Sequence, residues 1–339
     1  MLPPQGVAEL AKVLAGLKAQ GLATILITHK LHEAVEMGDR ISILKQGRRV
    51  GSLDPDELRS RTAHEAHDAI IGMMFGGEAA TVAGVSELRE EADAHRRARD
   101  ARGAPLLELI HVSARGDRHG WGIDDVTLDV LEGEILGIAG VDGNGQKELA
   151  EAIAGQRRLS AGEIRLDGRS VSTLSVAQRE RRGLRYVTDD RLGEGTVRGL
   201  SVAMNLVVKR IGQAPFWRRG TTRHVPINAA ATKLVDEFDV RTPSVSTRVS
   251  TLSGGNLQKV VLARELSFDP RVVVYSKPTH GLDVKTTLFV RERIRQQADQ
   301  GLAQLVISTD LEELLDLCDR IAVMFRGRCA GVVDNAPGI

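Results

Sequence analysis

The chain has little that would tie it together covalently or hold it in a membrane. Its 339 residues include two cysteines, Cys318 and Cys329. They are too few for a disulfide framework or a cysteine metal cluster, and a reducing cytoplasm is the expected setting. No run of 18 apolar residues occurs, so no membrane-spanning helix is expected. An excess of one charge is also missing. Lys and Arg number 46 against 45 Asp and Glu, a formal net charge of +1. That leaves no global basic field for nucleic acid and no acidic tail. The opening Met1-Leu2-Pro3-Pro4-Gln5 has neither the basic nor the apolar region of a signal peptide. With 42% apolar and 27% charged residues, the composition suits one large or two medium globular domains.

An internal repeat settles which. Residues 21–51 align without gaps on residues 301–331, an offset of 280, with 12 of 31 positions identical. Two copies of one domain are implied. The second is expected from 105 to 339. The first, residues 1–78, has counterparts only for the second copy's closing part, so an N-terminally truncated first domain is the expectation. Two strands of that remnant would then leave unpaired edges.

Coarse elements follow from apolar spacing. Val7, Leu10, Val13, Leu14 and Leu17 recur at a helical period. Ala23–Thr28 reads as a buried strand, Lys30–Met37 as a helix and Ile41–Lys45 as a strand. Residues 79–104, dense in Glu, Asp and Arg, read as a charged linker. In the second copy, strands are expected over Val126–Val130, Glu134–Ile138, Val272–Tyr275 and Leu305–Ser308. Helices are expected after residue 146 through Ala154, over Asn256–Ser267 and over Thr286–Gln297. Residues 197–247 carry Pro215, Pro226 and Pro243 and suggest an inserted, mostly helical subdomain, about 197–266 with the following helix. The fold class is α/β, a parallel sheet with helices packed on it.

Strand, glycine turn and helix meet at Gly140-Val141-Asp142-Gly143-Asn144-Gly145-Gln146-Lys147. Glycines let backbone N–H groups turn inward, and a helix N-terminus adds partial positive charge. A working phosphate loop reads Gly-x-x-x-x-Gly-Lys-[Ser/Thr]. Here Gln146 stands at the lysine position, bringing no charge. Lys147 stands at the hydroxyl position, where a cation repels Mg²⁺. The turn is therefore either a nucleotide contact or a plain strand-to-helix connection. A second motif departs in the same direction. Val272-Val273-Val274-Tyr275 runs into Ser276-Lys277-Pro278, where a nucleotide hydrolase has an Asp for the Mg²⁺ shell and a Glu to polarise water. A lysine, protonated at neutral pH, is no base.

Leu252-Ser253-Gly254-Gly255-Asn256 opens a helix running to Leu266. Ser253 can cap it, and Gly254 and Gly255 let an anion approach the backbone. A plain glycine-rich cap has the same sequence. A serine nucleophile is excluded, because the elbow needs glycine two residues earlier and that position is Thr251.

With these runs in place, the second copy resembles an ABC transporter ATPase, with the order phosphate loop, signature helix, strand, Gly281-Leu282-Asp283 and terminal strand. In more detail it is similar to the duplicated ATP-binding subunits of simple-sugar and nucleoside importers. The resemblance implies an ABC-type nucleotide-binding domain that uses ATP and Mg²⁺, in which two domains pack head to tail. It implies that Ser253, Gly254, Gly255 and Asn256 close over ATP held by another domain. It places Gly140, Gly143, Asn144, Gly145, Gln146 and Lys147 in a degenerate loop, with Ser276 and Lys277 as the degenerate acidic pair. Asp283 falls on the D-loop, Asp189 at the glutamine of the Q-loop, and His29 at the first domain's switch histidine, with Thr309 as its counterpart. Trp121 falls where the family stacks an aromatic on adenine.

Implied partners are two membrane permease subunits and an extracytoplasmic solute-binding protein, at the cytoplasmic face of the plasma membrane, without nucleic acid. Two alternatives stand beside this. One is a non-catalytic partner lending its signature in trans to an intact ATPase domain. The other is a soluble ABC protein acting on ribosomes or DNA. Little or no hydrolysis by this chain alone is expected. Phe216-Trp217-Arg218-Arg219 reads as a solvated basic loop, or as a contact to lipid or permease.

Overall fold

The structure, a computed structural model, describes residues 4–28, 31–45, 47–75, 103–117 and 120–335. The expected linker, residues 79–104, lies almost wholly outside the described residues. The chain divides into two compact units, residues 1–97 and 98–339.

The first unit runs α1 (Pro4–Ala19), α2 (Leu31–Met37), β1 (Ile41–Lys45), β2 (Arg48–Leu53), α3 (Pro55–Ser60) and α4 (Ala63–Phe75). β1 and β2 form an antiparallel hairpin. Its small core is Ile41, Ile43, Leu53, Ala66 and Ile70. Side chains start the short helices. Asp54 and Glu57 form a capping box on α3, and Thr62 and Glu65 exchange the same bonds at α4. The expected strand Ala23–Thr28 is not one. Residues 22–28 have no ladder, and Ile25 and Ile27 are 90% and 91% exposed. A strand needs a neighbour to take its N–H and C=O groups, and among the described residues β1 pairs only with β2.

The second unit has two larger sheets. β3 (Pro105–Ala114), β4 (Ile123–Leu131), β6 (Ala161–Leu166) and β7 (Arg169–Ser170) form an antiparallel sheet in the order β4-β3-β6-β7. The other joins β5 (Ile135–Ala139), β8 (Leu184–Val187), β11 (Val272–Ser276), β12 (Ala303–Ile307), β13 (Arg320–Phe325) and β14 (Arg328–Asp334) in the order β14-β13-β5-β12-β11-β8. Every pair is parallel except β13 with β14. β5, β11 and β12 are buried at every position, as strands covered on both faces must be. Their side chains alternate between two cores. Val272, Val274, Leu305 and Ile307 meet the antiparallel sheet and α5 (Gln146–Ala154). Val273, Tyr275 and Val306 meet the helical side.

That helical side consists of α7 (Val202–Val207), α8 (His224–Glu237) and α9 (Gly254–Leu266), with a small hairpin of β9 (Trp217–Arg218) and β10 (Thr221–Thr222). Phe216 is a core residue there, not part of a solvated loop, because the subdomain needs apolar bulk beneath its hairpin. The remaining helices are α6 (Val176–Arg181), α10 (Val284–Asp299) and α11 (Leu311–Leu317). Among the described residues no helix is long and apolar enough to cross a membrane.

The repeat extends beyond the aligned segment. Adding 280 to the bounds of α1 and α2 gives those of α10 and α11. The hairpin of β1 and β2 answers that of β13 and β14, down to a register shift at Ile43/Leu44 and another at Val323/Met324.

Candidate functional site

β5 delivers the chain into the glycine turn and α5 carries it away. Gly145 sits at the N-cap with φ of 100°. A Cβ there would lie 2.8 Å from the Gly122 carbonyl oxygen, so the turn requires glycine twice over. Gln146 is only 5% exposed, and its amide is spent inside the loop. The Asn144 N–H donates to Gln146 Oε1 at 3.0 Å, and Gln146 Nε2 donates to the Val141 carbonyl at 3.0 Å. A Cβ on Gly140 would meet Gln146 Nε2 at 2.6 Å, which puts the amide against the floor of the turn. An inward N–H that a phosphate oxygen would take is therefore already bound. Asn144 ties the loop to the strand ends, accepting from the Arg326 N–H at Oδ1 and the Gly327 N–H at its carbonyl.

Lys277, at the end of β11, reaches across to the loop. Its Nζ donates to both carboxylate oxygens of Asp142, each at 2.7 Å. The sequence treats the loop and the strand end as two separate departures; the structure joins them in one ion pair. Lys147 takes a different partner, its Nζ 3.7 Å from Glu151 one helical turn on. Burial disfavours its charge, but Glu151, Glu194 and Asp189 outweigh that and hold its ammonium above the usual value.

Asp189 accepts from the Ser276 hydroxyl at 3.4 Å. Two residues on, Arg191 bridges the elements. Its Nε donates to Gln258 Oε1 at 2.7 Å, and its Nη2 donates to the His280 carbonyl. Burial pulls the Arg191 pKa down from its ordinary value, with Asp189 opposing. Burial, then the neighbouring Lys277 and Arg191 charges, lowers His280, so its ring is neutral at pH 7. Nothing in the local sequence marks Arg191. Asp142 could have been found from the opposite charge of Lys277.

Ser253 caps α9, accepting from the Asn256 N–H and, at 2.9 Å, from Asn256 Nδ2. Asn256 Oδ1 in turn accepts from the Arg241 N–H at 2.7 Å. Ser253 and Gly254 are exposed. Gly255 has no room for more: a Cβ would meet Thr286 Oγ1 at 2.9 Å. Asp283 is engaged within this chain as the N-cap of α10, accepting from the Thr286 N–H at 3.0 Å and from Thr286 Oγ1 at 2.9 Å. The glycine turn, Ser276, Lys277 and Asp189 thus form one cluster. The start of α9 stands apart from it, linked through Arg191 and Gln258. His29 lies outside the described residues, and Thr309 is exposed. Trp121 is exposed beside the turn, with the Arg326 guanidinium 5.7 Å from its ring centroid.

These donors do not suit Mg²⁺. The two positions that would offer it oxygen hold an ammonium, Lys147, and a neutral hydroxyl, Ser276, in place of a carboxylate. Among the described residues no group of three or more His, Cys, Asp or Glu could hold a metal.

Known proteins bear on this geometry. Residues 123–280 match the family model described as ABC transporter. The nucleoside import ATP-binding protein of Lactococcus lactis is 34% identical over 333 residues, 98% of this chain and 62% of that protein. The glucose import ATP-binding protein of Haloferax volcanii is 39% identical over 316 residues, 93% of this chain and 54% of that protein. The guanosine import ATP-binding protein of Bacillus subtilis is 33% identical over 334 residues, 98% and 62%. The chain thus spans little more than half to three fifths of the length of these relatives. Among solved structures, a nucleotide-free ATP-binding cassette from an ABC transporter has a TM-score of 0.59 at 18% identity, covering 68% of this chain and 92% of that one. A dimeric cassette bound to ADP and phosphate has a TM-score of 0.57 at 20% identity, covering 68% and 99%. The α/β cassette fold, the order of glycine turn and signature helix, and the family match agree: residues 123–280 form an ABC transporter domain, and the chain is similar over nearly its whole length to ATP-binding proteins of importers.

Proposed function

We propose that this chain works in the energy-coupling part of an importer for nucleosides or simple sugars, and that its second unit donates a signature rather than hydrolysing ATP itself. The observation that carries this is the contrast between the two ends of that unit. At the glycine turn, Gln146 fills the loop and Lys277 neutralises Asp142. At the start of α9, Ser253 and Gly254 remain exposed with a helix N-terminus behind them, free to meet phosphate oxygens presented by another cassette. ATP and Mg²⁺ would then be held by that other cassette's phosphate loop. The same reading supplies the partners: two membrane permeases, a solute-binding protein outside the cell, and a position at the cytoplasmic face of the membrane. The relatives' names, which include nucleoside, guanosine and glucose import, support the solute class.

The test is reconstitution. The chain alone is expected to show no turnover above background. Mixed with an intact cassette of the same importer type and its permeases, it should raise ATP hydrolysis, and Ser253→Arg should remove that gain. Turnover by the purified chain that depends on Lys147 or Lys277 would sink the reading.

A further inference from the structure

A relay of side-chain and backbone contacts runs from the glycine turn to the start of α9. Asp142 in the turn holds Lys277 by two hydrogen bonds of 2.7 Å. Lys277 has a left-handed backbone, φ 45°, at the head of a short turn in which the His280 N–H donates to the Lys277 carbonyl. The His280 carbonyl accepts from Arg191 Nη2, and Arg191 Nε donates to Gln258. Gln258 lies wholly buried one turn into α9. The Arg191 fork also passes over the signature: a Cβ built on Gly254 would lie 3.6 Å from Nη1. The Lys277–Asp142 bonds and both Arg191 bonds are charge-assisted, and the step from Lys277 to His280 runs through the backbone. Charge-assisted bonds are stronger and more directional than neutral ones.

We infer that Arg191 is a positioning residue, and that the relay Asp142–Lys277–His280–Arg191–Gln258 holds the start of α9 in one place whether or not nucleotide is present. The chemistry fits the residues at each end. The ATP that a signature meets is held by another domain, and Gln146 fills this unit's own turn, so no nucleotide joins turn to helix within the unit. Lys277, useless as a base, supplies the tie instead. Only a guanidinium can reach both the His280 carbonyl and Gln258 from a single planar group, and a lysine would offer one point charge in place of the fork. The inference deepens the signature-donor reading, since a donor of this kind needs its signature preset. It concerns the chain's own mobility and stands or falls apart from turnover.

The experiment is hydrogen–deuterium exchange on the full chain, comparing wild type, Arg191→Lys, Arg191→Ala and Lys277→Ala. In wild type, the amides of 256–259 should exchange at the same rate with and without ATP. Both Arg191 variants should speed those amides by about tenfold, the size expected for loss of a charge-assisted hydrogen bond. Exchange in β5, β11 and β12 should stay unchanged. Lys277→Ala should speed the same amides by a smaller factor, although Lys277 makes no contact with α9 itself. Two results would overturn the proposal. One is a Lys277→Ala protein with wild-type exchange at 256–259. The other is a rise spread evenly over α9 and the central strands, which marks an arginine that merely supports the fold. The signature-donor reading fails separately, if Ser253→Arg is silent in the reconstituted ATPase.

Discussion

Replacing Gln146 with alanine should make this protein bind nucleotide more tightly while making it less stable. The wild-type amide holds two hydrogen bonds inside the turn, from the Asn144 N–H and to the Val141 carbonyl, both 3.0 Å. An incoming phosphate must displace the first and strand the second. At about 1 kcal/mol net for each such bond, the competition costs the ligand roughly 2 kcal/mol. That corresponds to about a thirtyfold loss of affinity, since about 1.4 kcal/mol is tenfold. Gln146→Ala removes the competitor and leaves the Asn144 N–H facing an empty turn. ATP should therefore bind roughly ten to thirty times more tightly, in buffer without Mg²⁺, as measured by displacement of a fluorescent ATP analogue. The same change deletes a buried side chain and its bonds, at a cost of about 1–2 kcal/mol. For a unit of this size that lowers the melting temperature by about 2–4 °C per kcal/mol. The alternative role for Gln146 is as a donor to the phosphate. If that holds, Gln146→Ala binds ATP more weakly than wild type, and that result would refute the plugged turn.

Three further outcomes can be checked. Lys277→Ala should cost about 0.5–1 kcal/mol in urea melts at low salt, because Asp142 is largely solvent-exposed and screened, and the deficit should shrink in 1 M salt. An unchanged deficit at high salt would mean packing and not charge. His280 is held below its ordinary pKa by burial and by Lys277 and Arg191. The unfolded chain therefore binds the proton more readily. Stability is full above the unfolded histidine value near 6.5 and falls as pH drops below it toward the folded value; thermal melts of wild type from pH 7.5 to 5 should show a loss that His280→Asn reduces. Thr286→Val should shorten or fray the start of α10, because Asp283 loses the Thr286 hydroxyl while keeping the Thr286 N–H; circular dichroism with exchange at 286–288 would report it, and unchanged exchange would exclude the cap.

Much of the second unit was legible because its signals are local. α5, α9 and α10 begin where a glycine or a capping side chain meets an apolar helical period. β5, β11 and β12 read as apolar runs because both faces are covered. The site was legible only in part. Gln146 and Lys277 could be identified as departures from a hydrolase, since residue type alone decides that. What they do instead depends on side chains meeting across 135 residues of chain, as Lys277 does with Asp142. Periodicity carries no trace of such a contact. Arg191 is less visible still: its two bonds go to a carbonyl and a buried glutamine, partners that only the tertiary fold brings near. Phe216 was misread for the opposite reason. Its neighbours Trp217, Arg218 and Arg219 look like a solvated loop, yet the hairpin they form lies over the helical core.

The repeat separates what a segment encodes by itself from what its neighbours impose. α1 and α2 match α10 and α11 in their bounds, and the two hairpins share the place of their register shift. Helices and hairpins satisfy their backbone groups from within or from the next few residues, so both copies build them alike. The stretch between α1 and α2 behaves otherwise. Leu305 and Ile307 are 0% and 2% exposed between β5 and β11, whereas their counterparts Ile25 and Ile27 are 90% and 91% exposed. At roughly 1.5–3 kcal/mol for each large apolar side chain taken from water, two such residues leave several kcal/mol unrealised in the first unit. Parallel strands far apart in sequence are what that stretch requires, and its own residues cannot provide them. The apolar character of Ala23–Thr28 is therefore a statement about a sheet, and it becomes a strand only where that sheet exists.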